Sequence, residues 1–133
     1  MTIGPGSFYT SIMPPLLVEG VADALGAVSG PIVLIANLLT EGRGMDGFTA
    51  ADEVRRVSEA IRRPVDVVIV NTSLPSETVL GRYQAEHKAP LPIGDMPDAC
   101  RVIEGDLWHK DIARHDRRRL AQAVWAVLAR QIL

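Results

Sequence analysis

Two stretches of the chain, residues 32–36 and 66–70, are almost purely apolar. Ile32-Val33-Leu34-Ile35-Ala36 has no polar member and the second has only Asp66 at its start, as expected of strands covered on both faces in a parallel sheet. Each runs into polar residues, Asn37 and Thr40 after the first and Asn71-Thr72-Ser73 after the second. Between them the period changes to that of a helix. Val54, Val57 and Ile61 form one stripe, Thr49 is a candidate N-cap, and Asp52 three residues on makes the acidic form of a capping box. Arg55, Arg56, Arg62 and Arg63 then fall on the wet face.

The same reading extends to the ends. Residues 1–3 are a strand stub, and 14–28 carry Leu16, Leu17, Val21, Ala24 and Leu25 near helical spacing, with Gly20 as a point of interruption. A helix is predicted over 74–85, an extended proline-bearing connector or sheet edge over 89–93, a short strand over 101–104, and a closing helix over 116–132 with Leu120, Val124, Val127 and Leu128 on its stripe. Strands and helices alternate. This predicts an α/β fold: a three-layer, Rossmann-like, mostly parallel sheet with helices on both faces.

Composition narrows the classes. At 133 residues the chain is the size of one domain, and its formal charge of -2 gives no basic footprint for nucleic acid. The longest apolar stretch, 31–39, is too short to cross a bilayer, so no membrane partner is expected. The lone Cys100 can form no internal disulfide, and with no signal peptide ahead of the first turn a reducing cytoplasm is the expected compartment. His87, His109, His115 and Cys100 share no metal spacing.

The candidate chemistry begins at Gly4-Pro5-Gly6-Ser7-Phe8-Tyr9-Thr10-Ser11-Ile12. If a strand ends at Ile3 and a helix begins near Ser7, free amides, hydroxyls and the positive end of the helix dipole converge on one spot suited to a phosphate. A plain turn with Ser7 as N-cap accounts for the same residues. No lysine follows the glycines, and Tyr9 stands where a dinucleotide fingerprint needs its last glycine, so neither standard nucleotide loop is present. Ligands of open α/β sheets sit beyond the carboxyl ends of strands, which places Asn37 and Thr40 at the same edge.

Together, the 4–12 segment, Ala36-Asn37-Leu38-Leu39-Thr40 and Arg114-His115-Asp116 resemble the carboxyl-terminal half of a superfamily. It contains the gluconeogenesis factors, which bind UDP-sugars, and the 2-phospho-L-lactate transferases of deazaflavin (coenzyme F420) biosynthesis. Members are about twice this length, so the resemblance implies a chain lacking the amino-terminal half of the family fold. Asn37-Leu38-Leu39-Thr40, Arg82-Tyr83 and Arg114-His115-Asp116 look more like the first branch. That branch usually continues after the threonine with Gln-Pro-Gly-Glu-Thr, where this chain has Glu41-Gly42-Arg43-Gly44-Met45, and it has Ser-Asp-His where this chain has Ala51-Asp52-Glu53.

By resemblance, Gly4, Gly6, Ser7, Tyr9 and Thr10 line the phosphate side of a ligand, Asn37 and Thr40 approach from the next strand end, and Tyr83 and Arg114 contact base and phosphate. The implied function is a non-catalytic, UDP-sugar-binding regulator of carbon metabolism and of cell envelope and shape. Its partner is a nucleotide sugar or other phosphate-bearing small molecule, and no cofactor is firmly implied. The alternative is a phospholactyl transferase acting with Mg²⁺, for which Asp106, Asp111 and Asp116 are candidate ligands, against the commoner role of such residues as caps. An exposed sheet edge that pairs two copies into a homodimer is a third reading.

Overall fold

The computed structural model describes residues 1–129 and contains one four-stranded sheet in the order β1-β2-β3-β4, with every neighbouring pair parallel. The strands are β1 (Thr2–Ile3), β2 (Val33–Ile35), β3 (Val67–Asn71) and β4 (Arg101–Gly105). Val33 stands opposite Val67 and Leu34 opposite Val68, which fixes the side chains that share a face.

That register explains the apolar runs. Leu34, Val68 and Val70 point to one face, where they pack with Ile3, Phe8, Leu16, Val54, Val57 and Ile61. Val33, Ile35, Val67 and Ile69 point to the other, against Leu107, Val127 and the half-buried Leu120 and Val124. Every residue of β2 and the first four of β3 are buried, because both faces carry helices. β4 differs, with Arg101 and Glu104 exposed on the outer strand of the described sheet, where charged side chains discourage further pairing.

The helices are α1 (Met13–Leu16), α2 (Val21–Gly26), α3 (Ala50–Ile61), α4 (Glu77–Gln84) and α5 (Arg117–Ala129), preceded at the front by a π-helical turn over Phe8–Ile12. The helix predicted over 14–28 is two pieces. Gly20, at φ 82°, adopts the left-handed backbone that breaks it. The helix predicted from 74 starts later, with Ser76 as N-cap and Pro75 outside it. The proline-bearing segment 89–93 is a connector that touches the loop after β2 through one antiparallel bridge, Leu39 to Pro90. Residues 130–132 of the predicted last helix lie outside the described residues.

Around α3 the local chemistry is as the spacing predicts. Thr49 Oγ1 accepts from the Asp52 N–H at 3.2 Å while the Thr49 N–H donates to Asp52 Oδ2 at 2.9 Å. Two further amides of the first turn, those of Ala50 and Ala51, donate to the Pro92 and Ile93 carbonyls, so the connector caps the helix as well. At the far end Arg63 leaves the wet face expected for it. It is half-buried and donates to the Val28 and Gly30 carbonyls and to Asp66, whose carboxylate also receives the Ile32 N–H at 2.7 Å. Cys100 is buried, and that burial raises its thiol to about 11, which leaves it inert. No helix of the described residues is long and apolar enough to cross a membrane.

Candidate functional site

Beyond the carboxyl ends of the strands lies a cleft of about 400 Å³, within the usual size of small-molecule sites. Each strand sends a segment to it: Pro5, Gly6 and Ser7 after β1, residues 37–41 after β2, Tyr83 and Lys88 from and after the helix that follows β3, and residues 113–115 after β4. Six of the nine residues marked by sequence line this cleft, namely Gly6, Ser7, Asn37, Thr40, Tyr83 and Arg114. The other three are near it without lining it.

Gly4 works behind the cleft. Its φ of 84° and its closeness to the end of β2, where an added Cβ would stand 3.0 Å from the Ile35 carbonyl oxygen, make it the residue that lets the turn lie against the strand. Thr10 is exposed and donates through Oγ1 to Ser7 Oγ at 2.6 Å, so it acts on the cleft only through Ser7. Tyr9 is 46% exposed, and its ring packs edge-on to Phe8 at 5.1 Å and near Phe48 at 6.1 Å, away from the lining. A helical segment does begin after Ser7, yet Ser7 makes no side-chain cap.

The amides expected to be free are only partly so. The Phe8 N–H donates to Glu41 Oε1 at 2.5 Å, Ser7 Oγ donates to Glu41 Oε2 at 2.8 Å, and Asn37 Nδ2 donates to Glu41 Oε1 at 2.8 Å. The protein's own carboxylate therefore occupies one amide and one hydroxyl of the turn, together with the Asn37 side chain. It is held where an anion is expected.

Behind Asn37 lies Glu53, fully buried in α3. Its Oε2 accepts the Asn37 N–H at 3.2 Å, while Oε1 has no partner among the described residues. Burial pushes its carboxyl up to about 8, the Glu41 charge adds to the rise, and the Asn37 amide opposes it. Burial thus favours the protonated, neutral form of Glu53.

On the opposite wall Arg114 is exposed and makes no ion pair among the described residues. Lys88 pairs with Glu86 at 2.5 Å. Tyr83 is half-buried, and its hydroxyl accepts the Ala113 N–H at 2.8 Å, so it fixes the loop that carries Arg114. Thr40, 9% exposed, exchanges bonds with Ala89, accepting that N–H at 3.0 Å. His115 lines the cleft and is held below the ordinary range by burial, although a bond to the Ala36 backbone works the other way. Its Nε2 has no partner among the described residues.

The three aspartates do not form a metal site. Asp106 pairs with Arg119, Asp116 accepts the Arg118 and Arg119 amides at 3.0 Å as a cap of α5, and no group of three or more His, Cys, Asp or Glu able to hold a metal occurs among the described residues. Sequence reasoning passed over Glu41, Lys88 and Glu53. For Glu41 a signal existed, since it is the next polar residue after Asn37 and Thr40 at a strand's carboxyl end. For Lys88 there was none, because it lies on a turn distant in sequence; Glu53 stood out only as a departure from the Ser-Asp-His of the first branch, in a helix it shares with Asp52, Arg55, Arg56 and Glu59.

The family described as 2-phospho-L-lactate transferase CofD matches residues 1–108. A gluconeogenesis factor of Listeria monocytogenes is 33% identical over 98% of this chain and 42% of its own length, and one of Halalkalibacterium halodurans is 31% identical over 93% and 40%. A crystal structure of a upf0052-family protein from Bacillus halodurans superposes with a TM-score of 0.81 at 28% identity, covering 93% of this chain and 42% of that one. Across such relatives the chain spans from 26% to 42% of their length.

Proposed function

The chain belongs to the 2-phospho-L-lactate transferase CofD family, and from its likeness to gluconeogenesis factors we propose that its cleft binds a nucleotide sugar, specifically a UDP-sugar, as a regulatory protein of that type. In this reading Ser7 and the Phe8 amide receive phosphate oxygens, Arg114 pairs with a second phosphate, Asn37 meets a uracil or sugar edge with its donor and acceptor, and Tyr83 packs against a ring. Binding has no chemical step. The cell reads occupancy as a measure of carbon supply for metabolism and for the envelope that sets cell shape.

The observation that supports it is the convergence of donors on negatively charged oxygens. A main-chain amide at a helix start, a hydroxyl and a side-chain amide all point to one carboxylate, and an arginine lines the same cleft in a chain of net negative charge. Calorimetry with UDP-N-acetylglucosamine, GDP and the deazaflavin tests the assignment. UDP-N-acetylglucosamine is expected to bind most tightly and to be recovered unchanged. Consumption of the deazaflavin in the presence of Mg²⁺ would replace this reading with phospholactyl transfer.

A further inference from the structure

Three donors that the proposed ligand would use, Ser7 and the Phe8 amide for phosphate and Asn37 for the uracil or sugar edge, are already in use. Glu41 takes the Ser7 hydroxyl at 2.8 Å, the Phe8 amide at 2.5 Å and the Asn37 side-chain amide at 2.8 Å, so groups from the ends of two strands close on one carboxylate. Thr10 adds to the arrangement. Its hydroxyl donates to Ser7 Oγ, which leaves the Ser7 proton directed at Glu41. Hydrogen bonds to an ionised acceptor are the strong kind, and a carboxylate with three of them is well satisfied.

A phosphate cannot share these donors with Glu41. Two anionic groups at contact distance repel strongly where water is partly excluded, and each donor proton serves one of them well. The Glu41 N–H donates to Met45 Sδ at 3.3 Å, and rotation of the side chain alone is enough to withdraw the carboxylate. Room for that exists: Glu41 is only half-buried, and it lines a cleft of about 400 Å³.

We propose that Glu41 is a built-in competitor for the phosphate seat, an internal anion that must swing out before a phosphate-bearing ligand enters and that weakens binding of such ligands selectively. The inference rests on the cleft being a phosphate site, as argued above. It adds a specificity-determining residue: with a neutral side chain at position 41 the same donors are open to an external anion. A ligand without phosphate meets only Asn37 among them and gains less from the change.

The test compares the protein with its Glu41→Gln variant by calorimetry, using pyrophosphate, UDP-N-acetylglucosamine and uridine. The variant is expected to bind pyrophosphate and UDP-N-acetylglucosamine about ten-fold more tightly or better, as removing one unit charge at contact distance implies, and to gain clearly less for uridine, which meets only Asn37 of the three donors. Equal or weaker pyrophosphate binding by the variant, or no pyrophosphate binding by either protein, overturns the proposal. If UDP-N-acetylglucosamine binds the unaltered protein and Glu41→Gln leaves that affinity unchanged, the competitor role fails while the nucleotide-sugar reading stands. If pyrophosphate gains and UDP-N-acetylglucosamine binds no better than pyrophosphate, the competitor role stands and the nucleotide-sugar reading fails.

A measurement on the unaltered protein decides the matter even if the variant does not fold. The Phe8 amide proton, bonded to a carboxylate, is expected far downfield in the free protein and displaced on saturation with pyrophosphate. A Phe8 resonance that stays in place while pyrophosphate binds overturns the proposal.

Discussion

Glu53 shows how one residue couples site and stability. Its folded value of about 8 lies above the ordinary 4.5, so the folded protein holds a proton that the unfolded chain has released between those two values. The contribution of Glu53 to stability is therefore full below about pH 4.5 and declines as pH rises towards 8, at up to about 1.4 kcal/mol per unit. Glu53→Gln removes this titration and leaves that of His115, so denaturant unfolding from pH 4 to 9 is expected to show a steeper decline towards pH 8 for the protein than for the variant. Equal profiles in both would show that Glu53 is ionised in the fold. Arg114 belongs to the same scale. Arg114→Ala is expected to weaken UDP-sugar binding by about 1.5–3 kcal/mol, the size of a charged hydrogen bond, without changing the melting temperature. An unaltered calorimetric affinity would return Arg114 to a purely solvated role.

Among the elements, α3 carries the clearest local code. Its capping box was legible because Thr49 and Asp52 both act within one turn, and Thr49→Ala is expected to cost about 1 kcal/mol in chemical denaturation. The role of the connector after α4 was not legible. Pro92 and Ile93 lend carbonyls to the same helix start, and Gly94, at φ 77°, brings the chain so close that an added Cβ would stand 2.4 Å from Thr49 Oγ1. Gly94→Ala is expected to destabilise by about 1–3 kcal/mol, through both backbone strain and the clash, as read by thermal unfolding. The interruption of the first helix at Gly20 was visible in sequence, because a glycine is the residue that accepts a positive φ there.

At the scale of the whole molecule the site exists only because parallel strands end at one edge. Ser7, Asn37, Tyr83 and Arg114 come from segments far apart in the chain, and the sheet aligns their ends. The Tyr83 hydroxyl then ties α4 to the loop of Arg114 by accepting the Ala113 N–H. Tyr83→Phe removes that acceptor and is expected to cost about 1 kcal/mol in unfolding, and to weaken UDP-sugar binding although the lost hydroxyl makes no ligand contact in this reading. Hydrogen exchange at Ala113 reads the first effect and calorimetry the second. A protected Ala113 amide in the variant would exclude the tie.

The sequence by itself determined the elements and the edge. An uninterrupted apolar run such as 32–36 can be satisfied only with cover on both faces, and polar residues just past it must then gather where the strands end. Whether the amides of the first turn stand open was decided by tertiary structure, since the group that takes them, Glu41, is more than thirty residues away and meets them only when β1 and β2 pair. Glu53 is of the same kind. A carboxyl on a helix reads as solvated until the fold buries it, and burial is a property of the assembled layers, not of the residues beside it.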